Sequence, residues 1–308
     1  MLVVTGSTGH VGRLVADELS LRGYSQRLLV RDPPRAPAIE GAEVVRGDYA
    51  DPASLAGGMN AGDRVFMVSL HEGPYERVPH HRAFVEAAAR ARVDHIVYLS
   101  FVAAGPDAIF LHARSHGATE RMLEESGIPF TSIRNSMYAD DIPGWFDAEG
   151  VNRSPGGTGH MSFSYRPELA DVIATVLTEP GHEGKVYDIT TPESVSMTEL
   201  AIVASDVTGG DYRYEPWDDD WWEGRWRSGG KADWAIEAGR TSFEAIRRGE
   251  LDIVTDDYRT VTGRDPLTIA QIIERHSDEM PLSGGRGAQG SAQESDGSGA
   301  SDDARPAG

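Results

Sequence analysis

The chain contains no cysteine. That absence excludes disulfides, thiolate metal centres and cysteine nucleophiles together, and it suits a reducing compartment. Lysine is scarce as well, with Lys185 and Lys231 the only two. No apolar run approaches the ~20 residues that a membrane-spanning helix requires. The sequence opens Met1-Leu2-Val3-Val4-Thr5-Gly6, already a strand running into a turn, so no leader peptide and a cytoplasmic location are expected. Basic residues are in deficit: 29 Lys and Arg stand against 49 Asp and Glu, a formal net charge of -20. Nucleic acid and anionic membrane surfaces are therefore poor partners. The acidity reads as a solvated surface with an acidic tail and identifies no substrate.

What the chain does contain is a regular alternation of two apolar periods. Residues 2–4 form a short apolar strand; Val11, Leu14, Val15 and Leu19 follow at helical spacing, and Gly23 can end that helix. Further strands are expected at 27–31, 43–46, 64–69, 95–100 and 130–134. Helices are expected at 75–92 and 112–126, with a short one opened by Asp51-Pro52. Such alternation with nearly all-apolar strands implies a parallel sheet covered on both faces. The expected fold class is α/β, a Rossmann-type doubly wound parallel sheet with a smaller, mostly helical C-terminal lobe. Residues 1–134 would form the first domain. Residues 135–276 would form the lobe and return about one strand, Val186–Ile189, to the sheet. In that lobe Leu169, Val172, Ile173, Val176 and Leu177 mark a helix, and Ser196-x-x-Glu199 is a capping box. Residues 277–308 are Gly, Ser, Ala, Asp and Gln with almost no large apolar side chain, which predicts a disordered tail without a catalytic role.

Between the first strand and first helix lies Gly6-Ser7-Thr8-Gly9-His10-Val11-Gly12. A glycine triplet alone is weak evidence in a chain with 35 glycines, but here strand and helix flank it correctly. Gly6 suits the tight turn, Gly9 the close approach of backbone to a pyrophosphate, and Gly12 the packing of helix on strand. The helix start offers free N–H groups to phosphates. The second strand ends Val30-Arg31-Asp32. Arg31 suits a 2′-phosphate and Asp32 a free ribose hydroxyl; the arginine favours NADP(H) over NAD(H). Asp48, after the third strand, is placed either to meet the adenine or to cap its own loop.

Several stretches together resemble the NmrA-like, atypical short-chain dehydrogenase/reductases, and within them the flavin-free NADPH:quinone oxidoreductases and the triphenylmethane and azo dye reductases. The matching stretches are Val3-Val4-Thr5-Gly6-Ser7-Thr8-Gly9, Leu29-Val30-Arg31-Asp32, Arg46-Gly47-Asp48-Tyr49, His95-Ile96-Val97-Tyr98-Leu99-Ser100, Thr119-Glu120-Arg121-Met122-Leu123, Ile133-Arg134-Asn135 and Gly181-His182-Glu183-Gly184-Lys185-Val186-Tyr187. The resemblance implies NADPH use without flavin or metal, and a small quinone-like or conjugated aromatic acceptor. Val68, Ser69 and Ser100, at the ends of the fourth and fifth strands, are expected beside the cofactor. The family also includes redox-sensing regulators, so a non-catalytic NADP(H) sensor of the NmrA type is the competing reading. Oligomeric state is not legible.

Typical short-chain dehydrogenases use Tyr-x-x-x-Lys to protonate a carbonyl, and neither lysine here follows a tyrosine at that spacing. Relatives that keep the dyad often carry Glu four residues after the Lys. Counting back from Glu120 puts His116 at the Lys place and His112 at the Tyr place, on one helix face. We expect His116 to orient the nicotinamide end or the substrate; the alternative is that these histidines merely sit on a half-exposed helix. No third imidazole or separate ligand makes a metal site of them. A quinone or cationic dye takes hydride at an electron-poor centre, so loss of the tyrosine is tolerable there. The substrate space is expected beyond the strand ends, lined by Ser69, Leu70, His71 and Phe101, with Asn135, Met137 and Tyr138 after the sixth strand. Asn135 and Tyr138 agree with the quinone-reductase pattern and are candidate catalytic residues beside His116. Residues 143–146 are expected at a lid edge. Trp217, Trp221, Trp222 and Trp226 either pack the lobe onto the sheet or cap a flat substrate.

Overall fold

The computed structural model describes residues 1–281. Strands β1 (Leu2–Thr5), β2 (Gln26–Val30), β3 (Glu43–Arg46), β4 (Arg64–Met67), β5 (His95–Phe101) and β6 (Phe130–Asn135) alternate with helices α1 (His10–Leu21), α2 (Pro52–Leu55), α3 (Pro74–Ala91) and α4 (Leu111–Ser126). The second half adds β7 (Met137–Tyr138), β8 (Val151–Ser154), β9 (His160–Met161), β10 (Phe163–Ser164), α5 (Arg166–Thr178), β11 (Val186–Ile189), β12 (Val195–Ser196), α6 (Met197–Thr208), β13 (Arg213–Pro216), α7 (Asp219–Ser228), α8 (Asp233–Arg247), α9 (Asp257–Thr262) and α10 (Ile269–Arg275).

Seven strands form one sheet in the order β11-β6-β5-β4-β1-β2-β3, every neighbouring pair parallel. The order reverses between β1 and β4, the position where sheets of this kind open a crevice at their carboxyl edge. Strands β2 and β5 are buried along their whole length, as the absence of polar alternation in a doubly covered sheet requires. Edge strand β3 instead exposes most of its residues. Helices α1 and α5 cover one face through Val11, Val15, Leu19, Leu169, Val172 and Ile173. Helix α3 and the end of α4 cover the other through Phe84, Val85, Ala88 and Leu123. A third core, built from Phe101, Ile142, Phe163, Leu200, Ile246 and Ile272 among others, fills the C-terminal region.

The expected β11 returns to the sheet beside β6, and the expected capping box opens α6, with Ser196 and Glu199 bonding each other's backbone N–H. The C-terminal region is helical but also holds three two-stranded ladders of short strands, which single-residue periodicity does not reveal. Two expectations are corrected. Residues 143–146 form no lid edge: Pro143 and Phe146 are buried, and Phe146 packs edge-on against Tyr212. The chain also stays packed past residue 276. Ser277–Glu279 make a 3-10 turn, Met280 is buried in the third core, and the Tyr212 hydroxyl donates to the Pro281 carbonyl. The rest of the expected tail lies outside the described residues. Among the described residues no helix is long and apolar enough to cross a membrane.

Candidate dinucleotide and acceptor site

The turn after β1 is shaped by what a side chain would strike. Gly6 has φ +65°, and a Cβ on it would lie 2.5 Å from Val68 Cγ1 at the end of β4. A Cβ on Gly12 would lie 2.2 Å from the Gly6 carbonyl oxygen, so α1 reaches this close to the strand only with glycine there. Gly9 differs: a Cβ would meet nothing nearer than 3.5 Å, and its bare backbone faces outward as the N-cap of α1. That helix start has no side-chain cap and no carboxylate in its first turn. Its leading N–H groups, from His10 and Val11 onward, and the positive end of its dipole are therefore left for an anion. Thr8, Gly9 and His10 are exposed, whereas Ser7 is fully buried and its Oγ has no hydrogen-bond partner. Beneath the turn, the Thr5 hydroxyl donates to the Phe66 carbonyl and accepts from the Val68 N–H and the Tyr49 hydroxyl, each at 2.9 Å. Thr5 and Tyr49 thus pin β1 to β4 at the switch point, a role that sequence reading missed because their partners are distant in the chain.

A cleft of about 650 Å³ opens beside this turn. Ser7, Thr8, Gly9, His10 and Arg13 line it together with Asp140, Asp141 and Arg166. Arg31 is exposed just past the end of β2 and makes no ion pair among the described residues, but it does not line the cleft. Arg35 does, from the end of the 3-10 turn Pro33–Arg35, and it too is exposed and without an ion pair among the described residues. Sequence reading passed over Arg35; its signal was a second guanidinium one short turn beyond the first. The Asp48 carboxylate accepts from the Ala50 N–H at 3.0 Å, the loop-capping alternative in geometric form.

At the other end, beyond β4 and β5, the expected residues meet a buried polar network. His116 is 6% exposed. Arg77 Nη1, which can only donate, reaches His116 Nε2 at 3.3 Å, so the ring's proton sits on Nδ1 and donates to the Tyr98 hydroxyl at 2.9 Å. His81 is fixed in the same way: the Leu70 N–H donates to Nε2 at 3.2 Å and Nδ1–H donates to Thr119 Oγ1 at 2.9 Å. Burial first, and the Arg77 charge second, hold His81 and His116 well below the usual imidazole range and lower His112 to about 3. All three rings are neutral at physiological pH.

The shared helix face of His112, His116 and Glu120 is not a triad, because each meets different partners. Glu120 takes a bidentate ion pair from Arg134, at 2.9 and 2.6 Å, and a hydrogen bond from Ser100 at 2.7 Å. Ser100 therefore spends its hydroxyl on Glu120. His112 is half-buried against Phe110 and Trp234 of α8, with Nδ1 unpartnered. Ser69 Oγ is also buried and unpartnered. Asn135 is buried and donates from Nδ2 to the Ser136 carbonyl at 2.7 Å. Tyr138 lies under the Arg166 guanidinium, 4.0 Å from ring centroid to Cζ, and burial pushes its phenol up to about 12. Among the described residues no three His, Asp or Glu side chains converge as a metal site would need.

The tryptophan segment does not pack the lobe onto the sheet. Trp222 is buried between α7 and α8, on Gly239 and Phe243, and not on the sheet. With Trp145, Trp217 and Trp226 it lines a separate groove that shares no residue with the cleft at the glycine turn. The indole at the acceptor end is Trp234, which sequence reading did not single out.

A switch-point crevice, a glycine turn with a free helix start, and exposed guanidinium groups after β2 define a dinucleotide-binding protein of the doubly wound class. Comparison with known proteins agrees: the profile of the family described as NAD(P)H-binding matches residues 6–180. Quinone oxidoreductase 2 of Escherichia coli (strain K12) is 32% identical over 222 residues, 70% of this chain and 77% of that protein. A (4-alkanoyl-5-oxo-2,5-dihydrofuran-3-yl)methyl phosphate reductase of Streptomyces griseus is 34% identical over 220 residues, 70% of this chain and 76% of that protein. Among solved structures, the triphenylmethane reductase of Citrobacter sp. complexed with NADP(H) superposes with a TM-score of 0.80 at 28% identity, covering 89% of this chain and 99% of the other. The chain belongs to the NAD(P)H-binding family and is an oxidoreductase of the atypical short-chain dehydrogenase group, related to quinone and dye reductases.

Proposed function

We propose that the protein is a cytoplasmic, NADPH-dependent reductase that passes hydride to a quinone-like or otherwise conjugated, electron-poor acceptor, without flavin, metal or a Tyr-Lys proton relay. The observation that carries this reading is the glycine turn, where the buried Ser7 hydroxyl lacks a partner and the α1 start lacks both cap and carboxylate. A pyrophosphate supplies what both lack. Ser7 Oγ and the N–H groups at the start of α1 would hold the diphosphate, and Arg35 with Arg31 the 2′-phosphate. Val68, Ser69 and Ser100 flank the strand ends over which the nicotinamide half would extend. The bound cofactor supplies the hydride. The chain's own contribution is to orient and to exclude water, because the His112 and His116 imidazoles and the Tyr138 phenol at this end are held neutral and offer no ready acid. An acceptor that needs no protein acid at the moment of hydride transfer suits such a site. The names of the relatives point the same way, to a quinone, a triphenylmethane compound and an oxo-dihydrofuranyl methyl phosphate.

Consumption of NADPH, followed by loss of its near-ultraviolet absorbance with a panel of quinones and triphenylmethane dyes, tests the proposal. Turnover with at least one such acceptor is expected. Tight NADP(H) binding with no oxidation across the panel would replace this reading with a non-catalytic NADP(H) sensor.

A further inference from the structure

Arg77 is a buried cation that makes no ion pair among the described residues. It stands in the first turn of α3, the helix that follows β4, and is 5% exposed. Its hydrogen bonds all go to neutral groups: Ser115 Oγ at 3.2 Å, His116 Nε2 at 3.3 Å and the Glu72 carbonyl at 3.4 Å. Its Nε is buried with no partner at all. The Glu72 carboxylate acts on Arg77 only at a distance and makes its close contact with His80, at 2.7 Å. The surrounding rings (His81, His112, His116, Tyr98 and Tyr138) are neutral. Burying a guanidinium this way is costly unless something negative arrives to meet it.

The position tells where that charge would come from. Ser69 follows the carboxyl end of β4 and Arg77 opens the helix after it, on the side of the switch point where a dinucleotide bound at the glycine turn would place its reacting half. A second orphan nitrogen, His112 Nδ1, lies within the electrostatic reach of Arg77. Trp234 sits edge-on against both His112 and His71, with ring centroids 6.0 and 5.8 Å away, and supplies an aromatic face beside these donors.

We infer that Arg77, with His112, recognises a negatively charged oxygen on the acceptor, so that the preferred substrate class is a conjugated carbonyl compound carrying an ionised acid group, such as a hydroxyquinone anion. The inference rests on the reductase reading but concerns only which acceptors are favoured. Hydride addition to the conjugated carbonyl forms a C–H bond and moves the π pair onto oxygen; water protonates that oxygen afterwards. Arg77 offsets the charge before and during this step.

The test is direct binding, measured by calorimetry on the full chain without reduced cofactor. The probes are 2-hydroxy-1,4-naphthoquinone, an anion at neutral pH, and the neutral 2-methyl-1,4-naphthoquinone. The wild-type protein is expected to bind the anion at least about tenfold more tightly, and Arg77→Gln to lose that preference. Arg77→Lys should restore part of it. If Arg77→Gln does not fold, His112→Leu, at a half-buried position, should still weaken anion binding several-fold while the neutral quinone binds as before. Equal affinity of the wild type for both probes would overturn the inference and leave the reductase reading intact wherever NADPH is still consumed. Anion preference without NADPH consumption would sustain the inference and defeat the reductase reading.

Discussion

Two arginines share the end of β2, and their positions make them separable. Arg35 lines the cleft beside the glycine turn and Arg31 does not, so Arg35→Ala should weaken NADPH binding about tenfold or more, and Arg31→Ala less. NADH, lacking the 2′-phosphate, should bind both variants as it binds the wild type. Titration of each variant with both nucleotides checks this; equal losses for NADH and NADPH would place neither arginine on the 2′-phosphate. His116 calls for a different readout. Both of its ring nitrogens are already bonded, Nε2 to Arg77 and Nδ1 to Tyr98, so its ring links those two residues. His116→Ala is expected to lower turnover by about tenfold or more through misplacement of Arg77. NADPH affinity should hold, because no part of the glycine turn contacts this ring. Unchanged kinetics would remove His116 from the mechanism.

Helix α5 shows how an element carries a cost for its placement. Its first turn holds Glu168, a position where the helix dipole favours a carboxylate. Glu168 is nonetheless 8% exposed, and burial raises its carboxyl to about 7, only partly offset by the hydrogen bond from the Leu267 N–H at 2.7 Å. A carboxyl whose folded-state pKa lies above its unfolded value binds a proton more tightly when folded. Its contribution is therefore full below the unfolded pKa near 4.5 and is lost as pH rises through about 7. Glu168→Gln keeps an acceptor for Leu267 and removes the titration. The variant should gain roughly 1–2 kcal/mol relative to wild type above pH 7, allowing for solvent screening, and nothing below the unfolded carboxyl range. Denaturant unfolding at both ends of that window checks the sign.

For the whole molecule, the buried histidines set the acid limit. His81, His112 and His116 lie at the acceptor end, and His95 crosses to Thr131 between β5 and β6. Burial lowers all four, His95 to about 4 and His112 to about 3. Here the unfolded chain binds the extra protons, so stability is full above about pH 6.5 and falls as pH drops toward the folded values. Each ring contributes up to about 1.4 kcal/mol per pH unit in that window, and four rings outweigh the opposite trend of Glu168. The unfolding temperature should therefore drop steeply between pH 6.5 and 4. A flat profile there would mean the rings are protonated in the folded state.

The dinucleotide half was legible in the sequence because it is local. A strand, a glycine turn and a helix lie within twenty-one residues, and the geometry demanded of Gly6 and Gly12 is written into residue type alone. The parallel sheet followed from period and apolarity, including the late return of β11. What only the tertiary structure decided is the acceptor end. Spacing put His112, His116 and Glu120 on one face, but whether Glu120 serves a histidine or Arg134 depends on a strand fourteen residues further on. Arg77 meets His116 across thirty-nine residues, and Trp234 meets His112 across more than a hundred. Partners brought together by crossovers and by packing of the C-terminal region leave no periodic trace. A chain can therefore announce its phosphate turn and still conceal the charge that would select its acceptor.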